Sequence, residues 1–450
     1  MQLIICNNSL KKKLLNECNT LINRKFMTMK ELINSYYFSY DDETIFYLIN
    51  KYGYKYNVAK VYLDNLIYIE DKVYNSDKLN FLVRLKKELD DNNLLIYDNY
   101  FKEYVKNKDI IIYGDYFNKL ESNLINELRS ITNVEIIKNE YKEYDHVVYE
   151  FDTMDEEVDY VAYKICELID SGIDINNIKL TNVSSDYYNT IDKVFKMYNI
   201  PINIINSSIY GSDICNYFLE EFNSDISITI NKLKEKNKGE LLDIIIDICN
   251  KYAFVKDYNK VRDMIIYELK RTNIPNKKLK NKVEVIDYKN DIINDEYVFM
   301  LSFNQENIPV IYKDEDYISD NIKDNLLLDK TIDKNKVEKE LTIKKIKNIK
   351  NLIITYKLKT PFNTYFKANL INELGYKVEY INTNKLISYS NISNKLKCGK
   401  MLDDLVKYGS INSNLDLYYN NYQIDYNGKN VFYNYCNKYK YMIKYILKKT

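Results

Sequence analysis

An apolar run at residues 297–303, YVFMLSF, constrains the fold of this chain more than any other segment. It stops abruptly at the polar loop NQEN, residues 304–307, which Ile308 and Pro309 close. A continuous apolar run is typical of a strand covered on both faces, as in a parallel sheet. Open α/β sheets bind their ligands at the carboxyl ends of such strands. The segment therefore predicts a buried parallel strand that carries a polar loop to the functional edge of a sheet.

The spacing of other strands and helices predicts further parallel pairing. A strand at residues 109–113, a helix at 119–132 and a strand at 134–138 have the spacing of a βαβ unit, which implies a parallel, right-handed crossover. A chain of 450 residues is also too long for one ordinary core. We therefore expect an α/β protein with more than one domain.

Interruptions in the strand–helix pattern define the expected domains. Residues 1–150 form one α/β domain, with a helical insertion at about residues 28–104. Residues 151–362 form a second, with a helical insertion at about residues 207–282. After residue 362 the chain is rich in Asn, Tyr and Ser and has only weak periodicity. We expect residues 363–450 to form a separate region.

The charge balance argues against a protein that binds nucleic acid by itself. Lys+Arg and Asp+Glu both number 65, so the net charge is zero. Such a chain has no global basic field with which to attract nucleic acid. A role on DNA would need local basic patches or a basic partner subunit.

The cysteines and the apolar segments indicate the compartment. Seven cysteines are scattered without a CxxC pair, which favours a reducing compartment over a disulfide framework or a zinc site. No segment reaches the roughly 18 apolar residues that span a bilayer, and the start, MQLIICNNSLKKK, does not have the pattern of a secretory signal. We expect a cytoplasmic, soluble protein without membrane contact.

The first strand–loop–helix, LIICNNSLKKK, occupies the place of a phosphate-binding loop but lacks its residues. Such a loop needs Gly, so that backbone N–H groups close on phosphate oxygens, followed by Lys and Ser/Thr. Here no Gly precedes Gly53, and the lysines at positions 11–13 lie inside the predicted helix. The nearest candidate for a second acidic motif is Gly114-Asp115, which we interpret as a turn. We predict that the chain does not hydrolyse ATP.

Other constellations for catalysis or metal binding are sparse. His146 is the single histidine, so a His-based metal centre is excluded, and its position in an apolar strand favours a structural role. The carboxylates Asp314, Glu315 and Asp316 leave a Mg²⁺ site open as an alternative, since Mg²⁺ prefers such oxygens.

Three stretches of the second half resemble a known family. They are residues 154–172 with the YNIP segment at 198–201, residues 295–320 with VFMLSFNQENIP and DYISD, and the helix and strand EKELTIKKIKNIKNLIITY at 338–356. Together they resemble the AddB-type (RexB-like) subunit of bacterial ATP-dependent helicase–nucleases, relatives of superfamily 1 helicases. The resemblance implies two RecA-like domains and a role in DNA repair and recombination.

The chain departs from that family where a motor needs its residues. The two glycine positions of the family's loop are occupied by Ser302 and by Glu306 or Asn307, and the arginine expected near the end of the predicted 335–348 helix is absent. A helicase motor uses such an arginine to stabilise charge on the transferred phosphoryl group. The resemblance therefore implies a helicase-shaped scaffold without ATPase activity, which holds and guides DNA.

The same resemblance suggests site residues and partners. Asn304, Gln305, Tyr356 and Lys357 are expected to contact phosphates or stack on bases of a single strand that lies across the sheets. The implied partners are DNA and an AddA-type helicase–nuclease subunit. Two alternatives stay open: an active ATP-dependent DNA helicase, and a non-enzymatic scaffold that binds a partner subunit and no DNA.

The C-terminal run at residues 435–448, YCNKYKYMIKYILK, is similar to the start of the family's PD-(D/E)XK nuclease domain. Cys436 would then match the first ligand of that domain's iron–sulfur cluster. The nuclease carboxylates and lysine would lie beyond Thr450, so residues 363–450 would be a linker and an incomplete nuclease-like domain. We expect no cofactor in this chain, with an iron–sulfur cluster and Mg²⁺ only in a longer protein with exonuclease activity.

Overall fold

The computed structural model describes residues 2–17, 23–202, 208–236, 239–274, 280–291, 293–324, 326–409 and 414–415. It confirms the α/β class, with two sheets that are parallel throughout. We call each sheet with the helices that cover it an α/β unit. In each unit the carboxyl edge is the side of the sheet at which the strands end.

The first sheet has four strands in the order β2-β1-β3-β4. Its strands are β1 (Gln2–Ile5), β2 (Arg24–Met27), β3 (Asp109–Tyr113) and β4 (Val134–Ile137). Strand β2 was not predicted from the sequence because RKFM is short and half charged, as suits an edge strand. The chain moves outward from β1 on one side and from β3 on the other, so the topological switch point of the sheet lies between β1 and β3.

Four helices among the described residues precede or follow strands of the first sheet, and three of them begin at its carboxyl edge. They are α1 (Asn8–Asn16), α2 (Met29–Tyr36), α6 (Phe101–Val105) and α7 (Lys119–Arg129). Leu32 and Tyr36 of α2 and Phe101 and Val105 of α6 belong to the same buried core as β1 and β3. The insertion predicted at about residues 28–104 is therefore narrower, because its two ends complete the first α/β unit.

The second sheet has six strands in the order β10-β5-β9-β8-β6-β7. Its strands are β5 (Val147–Thr153), β6 (Ile178–Thr181), β7 (Glu284–Val285), β8 (Tyr297–Met300), β9 (Asn351–Lys359) and β10 (Lys377–Tyr380). Strand β8 lies between β6 and β9 and has Val298, Phe299 and Met300 buried. The buried parallel strand expected at residues 297–303 is confirmed, although its regular pairing ends at Met300.

The second unit continues beyond residue 362, where the sequence suggested a boundary. Strand β10 pairs with β5, and its sequence KVEY is short and half charged, which explains why it gave no strand signal. The helices of this unit are α8 (Met154–Asp170), α9 (Tyr188–Met197), α14 (Thr331–Lys347), α15 (Leu370–Leu374) and α16 (Asn391–Tyr408). Helix α16 is held by Asp159 of α8, which accepts a hydrogen bond from Ser393 Oγ at 2.7 Å and pairs with Lys397 Nζ at 2.7 Å.

The two helical insertions pack against each other as one helical body. Its helices are α3 (Asp42–Tyr52), α4 (Tyr56–Asn65), α5 (Asp77–Asp91), α10 (Asp213–Glu220), α11 (Ile226–Lys236), α12 (Glu240–Asn250) and α13 (Arg262–Arg271). Apolar residues from both insertions share one buried core. The rings of Tyr56 and Tyr267, one from each insertion, lie 4.2 Å apart between centroids. The sequence indicated both insertions but not their common core.

No helix among the described residues is both long and apolar enough to cross a bilayer.

Candidate functional site

The loop after β8 begins with a left-handed residue at the carboxyl edge of the second sheet. Ser302 has a φ of 55°, a conformation that glycine adopts with little strain and other residues rarely adopt. Its side chain is fully buried, and its backbone N–H donates to Glu157 Oε1 at 2.9 Å. This left-handed conformation is the reason that glycine would be favoured at this position. Ser302 adopts the same conformation although it carries a side chain.

Glu157 is the centre of a buried polar network beneath that loop. Its carboxylate lies on the first turns of α8, fully buried, and accepts hydrogen bonds from Ser302 N–H, from Thr355 Oγ1 at 2.7 Å and from the Tyr187 hydroxyl. Tyr187 in turn accepts a hydrogen bond from Lys357 Nζ at 2.9 Å. We call Glu157, Tyr187, Thr355 and Lys357 the Glu157 network.

The electrostatics of the Glu157 network fit a charge pair connected through a tyrosine. Burial raises the pKa of the Glu157 carboxyl, while three donated hydrogen bonds and the Lys357 ammonium oppose that rise. Burial and the neighbouring carboxylate raise the pKa of Tyr187 well above its ordinary value. Tyr187 therefore stays protonated, donating to Glu157 while accepting from Lys357. Asp186 Oδ2 lies 3.6 Å from Lys357 Nζ. This partly exposed carboxylate adds a second negative charge near the ammonium.

Asn304 joins the loop after β8 to β9 and to the chain that follows β9. Its side-chain amide donates to Lys357 O at 2.8 Å and to Phe366 O at 3.1 Å, and Asn304 is fully buried. The Gln305 N–H donates to the same Phe366 carbonyl at 3.0 Å. Asn304 thus holds together two segments that are nine residues apart in the sequence.

The segment between those two contacts forms a hairpin, residues 358–367, at the carboxyl edge. Tyr365 N–H donates to Leu358 O at 2.7 Å, and Thr360 N–H donates to Asn363 O at 2.8 Å across the tip. Phe362 at the tip is 93% exposed and Phe366 on the returning strand is 69% exposed. We refer to this element as the 358–367 hairpin.

The structure corrects the expected exposure of three of the four DNA-contact candidates. Asn304, Tyr356 and Lys357 are fully buried, and each has partners inside the protein: the Tyr356 hydroxyl, for example, donates to Glu150. Lys357 donates to the Tyr187 hydroxyl, and the Asn304 amide donates to the carbonyls of Lys357 and Phe366. Gln305 is exposed, and a contact between Gln305 and DNA stays a prediction. Cys436 lies outside the described residues.

The residues that sequence reasoning missed at this edge are the exposed ones. Phe362, Phe366, Lys359 and Lys367 all lie on the 358–367 hairpin and face solvent. The signal was present in KTPFNTYFK, where a lysine at each end flanks three aromatic residues, and surfaces that bind single strands combine positive charge with aromatic side chains.

A second candidate site is a crevice at the switch point of the first sheet, with a volume of about 470 Å³. It lies where β1 and β3 end and α1 begins, the usual ligand position in an open α/β sheet. The Asn7 side chain bridges to the second unit by donating to Asn290 O at 2.8 Å. The lining residues are Ile5, Cys6, Asn7, Asn8, Ser9, Thr28, Met29, Tyr113, Gly114, Tyr116, Phe117, Glu121, Asn290 and Asp291.

The crevice carries carboxylates where a phosphate site needs cations. Its described lining includes Glu121 and Asp291 but no Lys or Arg. The helix ends that face it are closed by their own caps: the Asn7 side chain accepts from Leu10 N–H on α1, and Glu31 and Glu121 complete capping boxes on α2 and α7. Burial raises the pKa of Glu121. The arrangement favours neutral or cationic groups over a polyphosphate.

Two of the three acidic residues considered for Mg²⁺, Asp314 and Asp316, lie beside a buried lysine whose nearest carboxylate is Asp320. Lys323 is 1% exposed, and its Nζ lies 2.7 Å from Asp320 Oδ1, 3.8 Å from Asp316 Oδ2 and 4.0 Å from Asp314 Oδ1. The ammonium occupies the position that a cation would take. Within the described ranges no group of three or more His, Cys, Asp or Glu side chains is placed to hold a metal ion.

No protein-family model matches the chain. A search of the curated proteins found no match. The geometry of the two carboxyl edges therefore carries the functional argument.

Proposed function

We propose that this chain is the helicase-shaped, ATPase-deficient scaffold portion of an AddB-type subunit, which holds DNA during double-strand-break end processing. The two all-parallel sheets would correspond to two RecA-like domains, and the helical body to their joined insertions. The protein partner would be an AddA-type helicase–nuclease subunit that supplies the motor. The sequence resemblance in residues 295–320 and 338–356 supports this assignment.

The observation that carries the proposal is the chemistry of the crevice in the first unit. A nucleotide-hydrolysing site cradles phosphates with free backbone N–H groups, a lysine and Mg²⁺. Here Asn7, Glu31 and Glu121 already occupy N–H groups at three helix ends. The described lining adds two carboxylates and no cationic side chain, so a triphosphate would meet repulsion rather than a cradle.

An ATPase assay with Mg²⁺ and forked DNA tests the motor part of the proposal. We expect no turnover above the DNA-free background and no change in the midpoint of thermal unfolding with millimolar ATP, since a ligand that binds the folded state raises that midpoint. A known DNA-dependent ATPase in the same assay is the control. DNA-stimulated hydrolysis would establish the active helicase as the correct alternative.

A gel-shift experiment with forked DNA at low salt tests the DNA part. Retarded DNA that is released at high salt supports the scaffold on DNA, because phosphate contacts weaken as salt rises. If no complex forms at 25–50 mM salt while the chain still binds a partner subunit, the non-enzymatic partner scaffold replaces the proposal.

A further inference from the structure

We propose that the 358–367 hairpin is a stacking surface for an unpaired DNA strand, with Phe362 and Phe366 each taking one base and Lys359 and Lys367 contacting the adjoining phosphates. This proposal rests on the proposed function for the choice of DNA as the nucleic acid. The hairpin itself is outside the set of DNA-contact residues that the sequence suggested.

The first argument is the exposure of the two rings. Phe362 and Phe366 are 93% and 69% exposed, four residues apart on one short hairpin. Most large aromatic side chains lie in cores or interfaces, because their exposure forgoes a large favourable burial. Two phenyl rings held in solvent at the carboxyl edge indicate a surface that a planar, apolar ligand covers.

The second argument is that the hairpin is held in place before any ligand binds. Its backbone bonds at Thr360, Tyr365 and Phe366 close the tip and fix the base. Beneath it, the Lys357 ammonium lies 4.5 Å from the centre of the Tyr365 ring. The buried Lys357 and Asn304 thus support the hairpin from inside. A pre-formed stacking surface loses little conformational freedom on binding.

The third argument is the charge next to the rings. Lys359 and Lys367 are exposed, and neither has a carboxylate partner within 4.0 Å among the described parts of the chain. Glu306 is also exposed in the loop beside them, so the local field is weak. Stacking must then supply most of the affinity. For two phosphate contacts the logarithm of the binding constant should fall with the logarithm of salt by only about 1.4.

A single tryptophan provides a direct test, because the chain contains none. In Phe362→Trp the indole becomes the sole tryptophan of the protein, and we expect a bound oligo(dT) to quench its emission by stacking. Tyr100→Trp is the matched control, since Tyr100 is 83% exposed and stands at the start of α6 in the first unit. We expect its emission to be unchanged at the same DNA concentration.

Affinity measurements separate stacking from simple apolar contact. Phe362→Ala and Phe366→Ala should each weaken binding of oligo(dT) about tenfold, in line with the loss of one stacked base. Phe362→Tyr should restore binding, because it keeps an aromatic face, whereas Phe362→Leu should not. Tyr100→Ala should bind like the unchanged protein, and unfolding curves will confirm that each variant is folded.

Any other outcome contradicts the hairpin proposal, the proposed function or both. Normal affinity in both alanine variants, with DNA bound elsewhere, refutes the hairpin and leaves the proposed function intact. A chain that binds forked DNA but no oligo(dT) refutes the hairpin alone, and a chain that binds neither refutes both proposals. Tighter binding of oligo(U) than of oligo(dT) refutes the commitment to DNA. ATP turnover with hairpin-dependent DNA binding refutes only the scaffold function.

Discussion

The carboxyl edges of the two sheets are built from the same kind of parallel strands but end in opposite ways. In the first unit the edge is open, with a crevice of about 470 Å³ between β1, β3 and α1. In the second unit the equivalent side is filled by the Glu157 network, and the 358–367 hairpin projects from it. The same arrangement of parallel strands therefore carries an open crevice in one unit and a filled edge in the other, depending on a few side chains at the strand ends.

The difference lies in how each edge satisfies its polar groups. At the first edge, side chains within three residues of each helix start accept hydrogen bonds from the backbone N–H groups of that start. At the second edge, hydrogen bonds between residues that are 145 to 198 positions apart in the sequence satisfy the buried polar groups. Local caps leave the space above the sheet open, whereas long-range contacts draw the surrounding elements together. We expect the second edge to depend more strongly on single side chains than the first.

The largest expected effect is at Glu157. Glu157→Ala leaves the Ser302 N–H and the Tyr187 and Thr355 hydroxyls without their acceptor. It also removes the carboxylate that offsets the charge of the buried Lys357 ammonium, and the loss of one partner of a buried charge pair costs about 3 kcal/mol or more. Chemical denaturation measures this as a lower free energy of unfolding. The neighbour Glu156→Ala, which removes a half-exposed carboxylate, should cost less than about 1 kcal/mol.

A double variant refines this first prediction. Glu157→Leu combined with Lys357→Met removes both charges, so its loss should be smaller than the sum of the two single losses. Equal losses for Glu157→Ala and Glu156→Ala would show that the Glu157 network does not hold the second edge.

The next effect is at Asn304, which anchors the hairpin. Asn304→Ala removes the side-chain donor to the Lys357 carbonyl and one of the two donors to the Phe366 carbonyl. We expect a loss of about 2 kcal/mol in the free energy of unfolding and faster amide exchange in the 358–367 hairpin. The adjacent, exposed Gln305→Ala should change stability by less than about 0.5 kcal/mol. If both variants behave alike, the hairpin is held by its backbone bonds alone.

A smaller effect is expected from a cap at the first edge. Asn118→Ala removes the side-chain acceptor for the Glu121 N–H at the start of α7 and should lower the free energy of unfolding by about 1 kcal/mol. Asn126→Ala, at an exposed position of the same helix, should be neutral or slightly stabilising because alanine has the higher helix propensity. If Asn118→Ala lowered the free energy of unfolding as much as Glu157→Ala does, the two edges would not differ in how strongly they depend on single side chains.

The smallest expected effect is a change in the free energy of unfolding with pH, which arises from His146 in the second unit. Burial lowers the pKa of His146 below its ordinary value of 6.5, against the opposing influence of Asp145 and of a hydrogen bond with the Ile349 backbone. The unfolded state therefore binds the proton more readily. Stability from this group is complete above pH 6.5 and declines as the pH falls from there towards the lower, folded-state pKa.

His146→Phe isolates that contribution. The phenyl ring can keep the edge-to-face contact with Tyr376, whose ring centre is 5.4 Å from that of His146. The difference in free energy of unfolding between the two proteins should therefore shift in favour of the variant as the pH falls from 7 to 5. A difference that is constant over this range would show that His146 titrates alike in both states.

The regular elements were largely predictable, and the exceptions have a common cause. Buried strands such as β3 (DIIIY) and β8 (YVFM) consist mostly of apolar residues, which is a local property. Strands β2 (RKFM) and β10 (KVEY) were missed because edge strands bury only one side and can carry charges. Pairing with β1 and β5 makes them strands, and no local pattern contains that pairing.

The candidate site was predictable in position but not in orientation. The loop at residues 304–307 lies at the carboxyl edge as expected. The sequence could not show that Asn304 and Lys357 point inward, because their partners are the Tyr187 hydroxyl and the carbonyls of Lys357 and Phe366, which only the fold brings together. Polar residues at strand ends are usually exposed, and only distant partners make burial of these two favourable.

The sequence by itself determined the α/β class, the two parallel sheets with their insertions, and the missing glycines and lysine of a phosphate loop, since all of these depend on neighbouring residues and their periodicity. Tertiary structure alone decided that the insertions share a core, that Glu157 meets Lys357 through Tyr187, and that Phe362 and Phe366 are left in solvent. These outcomes depend on which buried charges and apolar faces find each other across 30 to nearly 200 residues of chain. The free energy of such contacts belongs to pairs of distant segments, so no single segment of the sequence encodes it.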